Sequence, residues 1–145
     1  VPADCRLIAF YGSLLSPFPT QERLGVDQAL ERLGPCRLRG RLLDLGAYPG
    51  LVEGPGLVRG ELYRLADPAA LAVLDGFEGY RPEDPGGSEY LRRAEELAEP
   101  AVTAWVYRLR QAPAGAAPVA GGDWARHLAG REPQGFEEFF RRRTT

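Results

Sequence analysis

The sequence predicts an α+β fold: a small mixed sheet, barrel-like in character, with short flanking helices. Three observations predict it. Strand-like runs outnumber helical ones and are punctuated by Gly and Pro turns. Strands and helices do not alternate regularly, which argues against a doubly wound parallel sheet. A chain of 145 residues, 44% hydrophobic and 26% charged, suits one core. Residues 1–145 are therefore read as a single domain.

Residues 6–11 (RLIAFY) form a short run of strand formers that ends at Gly12-Ser13. Pro17 and Pro19 forbid a helix directly after it. Asp27 can cap a helix over 28–33, with Leu30 and Leu33 on one face and Gly34 as stop. Residues 36–45 read as a strand, bent or bulged at Gly40. Tyr48-Pro49-Gly50 and Gly54-Pro55-Gly56 read as turns, the second leading into a strand over 58–65. Asp67-Pro68 is a helix start, an N-cap residue followed by proline, and that helix should stop near Gly76 or Gly79. A polar loop over 81–88 precedes strands over 90–97 and 102–109. The Ala/Pro/Gly stretch 112–122 is a flexible connection. Short helices over 123–128 and 136–143 close the chain, and Phe136, Phe139 and Phe140 are expected to pack on its own core.

Composition removes several classes of function. Net charge is −2, and the arginines are spread among acids, so no basic face for nucleic acid is expected. All 18 basic residues are Arg, so no Lys can act as base or Schiff-base former. No apolar run approaches a membrane span, and no signal peptide is visible. The absence of an initiator Met suggests a trimmed start. Cys5 and Cys36 are read as reduced thiols of a cytoplasmic chain. One histidine, His127, and no Cys-x-x-Cys leave no basis for a metal site.

Two short segments could carry chemistry. A strand ending in Gly12-Ser13 turns sharply and exposes successive backbone N–H groups, a nest suited to a carboxylate or oxyanion. On its own physics the better reading is an ordinary strand-end turn with a small residue for steric reasons. Ser13 lacks the Gly-x-Ser-x-Gly elbow of a hydrolase, and nothing marks His127 as its base. In Leu74-Asp75-Gly76-Phe77-Glu78-Gly79-Tyr80, Asp75 is read as solvent-facing. Glu78 sits at a helix C-terminus between aromatic neighbours, a poor place for an anion, and burial there would raise its pKa. A solvated loop glutamate is the bland alternative. The glycine-rich 54–60 stretch lies between strands and reads as a hairpin, not a nucleotide loop. Arg141-Arg142-Arg143 reads as a solvated helix end.

Taken in order, Tyr11-Gly12-Ser13-Leu14, Tyr48-Pro49-Gly50, Gly60-Glu61-Leu62-Tyr63, Leu74 to Tyr80, Tyr90-Leu91-Arg92, Ala104-Trp105-Val106-Tyr107 and Gly122-Asp123-Trp124 resemble the motifs of the gamma-glutamylcyclotransferase-like family. Leu14 stands where enzymes acting on free γ-glutamyl amino acids usually have Asn. That form resembles the branch of γ-glutamylamine cyclotransferase and small bacterial proteins. The resemblance implies a barrel-like α+β fold and cyclisation of a γ-glutamyl group to 5-oxoproline with release of an amine. It implies Glu78 as general acid/base, with Tyr11, Gly12, Ser13, Leu14 and Tyr90 around the substrate. No cofactor, metal, nucleic acid or membrane is implied. The alternative is a non-catalytic module that keeps the pocket for a small ligand or partner.

Overall fold

A long two-stranded hairpin organises the fold, and the computed structural model describes residues 5–145 of it and its surroundings. Strand β1 (Leu7–Phe10) and helix α1 (Thr20–Leu24) precede the hairpin strands β2 (Leu30–Asp44) and β3 (Pro49–Leu65). Helix α2 (Ala70–Glu78), strands β4 (Tyr90–Glu96), β5 (Thr103–Leu109) and β6 (Ala117–Pro118), and helices α3 (Trp124–Leu128) and α4 (Phe136–Thr144) follow. The six strands form one sheet in the order β4-β5-β1-β3-β2-β6. Its pairs are antiparallel except β1 with β5.

The sheet curls into a half-barrel. Its first edge strand is β4, and the segment after it reaches back to β2 near the far edge: Arg37 N donates to Glu99 O at 2.7 Å and Ala98 N to Arg37 O at 3.0 Å. Both faces are covered. In β1 the alternating side chains Ile8 and Phe10 join the cluster beneath α2 and α4. Ala9 and Tyr11 join the other cluster, with Leu38, Leu51, Val106 and Trp124. All three helix α4 phenylalanines are buried in the first cluster, as expected of an own-core contact.

The predicted helix over 28–33 does not form. Asp27 opens only a single 3-10 turn, Asp27–Ala29, and Leu30 already pairs with Leu65 in the ladder. Strand pairing outweighs a weak local helix pattern here, and Leu33 is left half exposed at 50%. The helix of this region lies earlier, in α1, stopped by the left-handed Gly25. Neither expected turn is where the sequence put it. The chain reverses over residues 45–48, where Leu45 N donates to Tyr48 O at 3.0 Å, and Pro49 opens β3. Residues 53–56 stay inside β3 as a bulge opposite Gly40, between the pairs Arg39↔Leu57 and Arg41↔Val52. The expected irregularity at Gly40 is therefore real, but it belongs to the strand pair.

The 90–97, 102–109, 123–128 and 136–143 elements appear within a residue or two of their expected bounds. Asp123 caps α3 by accepting from Arg126 N at 3.1 Å. Cys5 and Cys36 carry free thiols. Burial pushes the Cys36 thiol up to about 12, so it is inert as a nucleophile.

Candidate active site

Strand β1 ends at Phe10, and the chain leaves the sheet through a tight loop. Leu15 N closes it on Gly12 O at 3.0 Å. Glu61 of β3 pins its far end, accepting from Ser16 N at 2.8 Å and Ser16 Oγ at 2.6 Å. Tyr63 Oη donates to the same carboxylate at 2.8 Å, and Gln21 Nε2 donates to Leu14 O at 2.8 Å. Gly12 itself lies against Pro49: a Cβ there would fall 2.7 Å from Pro49 Cγ. The loop is thus clamped from outside. Among the described residues, the N–H groups of Gly12, Ser13 and Leu14 find no acceptor. Free N–H groups in such a nest can bind an anion.

Helix α2 supplies the carboxylate. It ends at Glu78, with Gly79 in the left-handed conformation (φ 70°) and Tyr80 N donating to Asp75 O at 2.9 Å. Asp75 and Glu78 are three residues apart and share a helix face. Asp75 is not solvent-facing, as its sequence context suggested, but buried. Arg92 holds it with two hydrogen bonds, at 2.8 and 3.2 Å, and Tyr107 Oη donates to it at 2.7 Å. Glu78 has no ion pair or hydrogen bond to a described residue. Burial raises its pKa to about 7; Arg143 opposes the shift and Asp75 adds to it.

The loop and the helix end meet at one cleft. Tyr11, Gly12, Ser13, Leu14, Glu78 and Tyr90 all line it. The two tyrosines are wall rather than free polar contacts. Tyr11 Oη donates to Tyr107 O at 2.6 Å and accepts from Leu51 N at 3.3 Å. Tyr90 Oη donates to Pro49 O at 2.7 Å. Burial raises the pKa of both phenols well above the ordinary value, so they remain neutral.

Sequence reasoning missed the opposite wall. Tyr48, Phe77, Tyr107 and Phe139 also line the cleft. Phe139 comes from α4, with its ring 4.3 Å from that of Tyr48 and 5.4 Å from that of Phe77. Arg143 is no solvated helix end. Its Nη1 donates to Phe77 O at 2.6 Å and its Nη2 pairs with Glu89, which also accepts from Tyr48 Oη. A Tyr beside Pro49 was a usable signal; nothing local linked the C-terminal helix to the site. His127 is elsewhere, bonded to Asp44 at 2.9 Å and stacked on Trp124. It gives Ser13 no base. No group of three or more potential metal ligands occurs among the described residues.

Residues 8–126 match the family model described as gamma-glutamyl cyclotransferase, AIG2-like. The chain belongs to that family. It is 38% identical over 84 residues to the Escherichia coli (strain K12) gamma-glutamylcyclotransferase family protein YtfP, an alignment spanning 58% of this chain and 66% of the relative. The solution structure of E. coli YtfP superposes with a TM-score of 0.63 at 34% identity, covering 81% of this chain and 95% of that one. The crystal structure of an AIG2-like protein from Mus musculus gives 0.57 at 26% identity, covering 74% and 80%. A gamma-glutamyl cyclotransferase fold thus holds the six cleft residues together. The matched span contains the Tyr11 loop and Glu78 and ends before α4 begins, so Phe139 and Arg143 stand outside it.

Proposed function

We propose that this chain cyclises a γ-glutamyl group to 5-oxoproline and releases the attached amine, with Glu78 as the general acid/base. The observation that carries the reading is the half-buried, unpaired Glu78 carboxyl, raised to about 7, lining one cleft with residues 12–14. A group titrating near the working pH can both take and give a proton.

The reaction needs little else. The substrate's α-amine attacks its own γ-carbonyl carbon, forming the ring C–N bond. The bond to the leaving amine then breaks. One proton passes from the α-nitrogen to the leaving nitrogen, and water is neither consumed nor formed. Both reacting groups belong to one molecule, so the cleft has only to fold the chain into ring geometry. Glu78 would accept the proton from the α-nitrogen and return it to the leaving nitrogen. The N–H groups of Gly12, Ser13 and Leu14 would hold the α-carboxylate or the tetrahedral oxyanion. Tyr11 and Tyr90, with their hydroxyls bonded to main-chain carbonyls, would act as rigid walls.

A non-catalytic binding module would be favoured by a pocket glutamate facing solvent and neutralised by an arginine. Glu78 is only partly exposed and forms no ion pair with a described residue, although the Arg143 charge acts on it. The test is a screen of γ-glutamyl dipeptides, γ-glutamyl-ε-lysine and γ-glutamyl polyamines for 5-oxoproline release by mass spectrometry, with Glu78→Gln as blank. Release by the wild type alone supports cyclisation. Equal release by the variant would remove Glu78 from the mechanism.

A further inference from the structure

On the far side of the Gly12–Leu14 loop lies a second, larger cavity, with about 890 Å³ of empty space including its mouth. Ser13 lines both this groove and the reactive cleft. Helix α4 spans the two as well: Phe136 faces the groove and Phe139 the cleft, with their rings 5.8 Å apart. The groove therefore adjoins the cleft at Ser13.

Its lining is chiefly apolar. Phe18, Trp124, Ala125, Leu128 and Phe136 contribute, with Pro17, Pro19 and Pro133. The two cations at the groove are already engaged. Arg23 makes a two-bond pair with Glu137 at 2.8 and 2.9 Å and lies 3.8 Å over the Phe140 ring. Arg131 donates to Leu128 O at 3.0 Å and His127 O at 3.2 Å. Arg23 is taken up by Glu137, and the carboxylates of Glu132 and Glu137 on the same lining disfavour an amino-acid leaving group, whose free carboxylate would need a cationic partner. An apolar amine needs no such partner.

We propose that this groove is the leaving-amine subsite, and that the preferred substrates are γ-glutamyl amides of aromatic or branched aliphatic amines. The inference rests on the cyclotransferase reading and adds to it the class of amine. With the γ-carbonyl at Glu78 and the loop N–H groups, the amide substituent passes Ser13 and its apolar body lies between Phe18, Leu128 and Phe136. Contact made there during bond breaking favours the larger amide in kcat/KM. One apolar group in a fitted pocket typically gives discrimination of about 10-fold or more.

The experiment compares γ-glutamyl-methylamide with γ-glutamyl-phenethylamide, reading 5-oxoproline by mass spectrometry in the wild type, Ala125→Trp and Phe18→Ala. Ala125 is partly exposed on α3, so the indole would fill the groove from its wall. The expected result is a phenethylamide to methylamide ratio of kcat/KM of at least about 10, falling towards one in Ala125→Trp. Phe18→Ala, which removes lining without filling the groove, lowers the same ratio and keeps the test open if the Trp variant misfolds. Turnover of both amides at a ratio near one, unmoved by either variant, overturns the subsite alone. Silence on both amides from folded wild type overturns the cyclotransferase reading, and the subsite with it.

Discussion

Replacing Glu78 by glutamine should inactivate the protein and stabilise it at once. The carboxyl is held up at about 7 in the fold, against an ordinary value of 4.5, chiefly because it is buried. Between those two pH values the folded state keeps a proton that the unfolded state has released. The contribution of Glu78 to stability therefore falls as pH rises from about 4.5 to about 7, and is flat above that. The gap corresponds to a ceiling of about 3 kcal/mol. Glutamine keeps the shape and never ionises, so the variant lacks this fall. Below pH 4.5 the two proteins should unfold at similar denaturant concentrations. Above pH 7 the variant should be the more stable by up to about 3 kcal/mol, or roughly 10 °C in Tm. Its turnover should drop by roughly 10²–10⁴-fold. Urea titrations of both proteins from pH 4 to 8, with 5-oxoproline release alongside, measure the two effects. Parallel stability curves would refute the reasoning: the carboxyl would then be solvated, and the case for a tuned acid/base would go with it.

Four further outcomes concern the same neighbourhood. The pH limb of kcat/KM should fall tenfold per unit below about 7, because the proposed reaction uses the ionised form of Glu78 as base. Arg143→Gln removes the positive charge that opposes the shift, so the midpoint should move up, whereas Asp75→Asn removes a carboxylate that adds to it and should move it down. A pH–rate series on the two variants checks the opposite signs. Asp75→Asn should also lower stability by about 3 kcal/mol in urea unfolding, since it strips the mostly buried Arg92 of its carboxylate. Gly12→Ala should cost about 1–3 kcal/mol and impair turnover, because the added methyl collides with the Pro49 ring that seats the loop. An unchanged Tm would show that the loop can shift away.

The Asp75 outcome reverses the one its sequence context suggests. Read in isolation, an aspartate three residues before the helix stop is a surface residue. In the fold its helix face meets Tyr107 and Arg92 on two neighbouring strands, and it becomes the anchor beside Glu78.

Sequence alone determined the features that depend on neighbours along the chain. The turn at Gly12-Ser13, the helix stop at Gly79, the cap at Asp123 and the strands of β4 and β5 are written in local residue preferences. Motif order extended that legibility to the family and to the pairing of one loop with one glutamate. Tertiary structure decided everything set by partners distant in the chain. Residues 30–33 became strand because Leu65 to Tyr63 were there to pair with them. Residues 54–56 became a bulge because Gly40 lay opposite. Tyr11 and Tyr90 became walls because main-chain carbonyls of β5 and β3 accept hydrogen bonds from their hydroxyls. Phe139 joined the cleft, and Arg143 reached Phe77 O beside it, only because α4 packs across α2, some 60 residues earlier in the chain. Local preference is a matter of tenths of a kcal/mol per residue, whereas burial and hydrogen bonding across the sheet are settled by who arrives opposite.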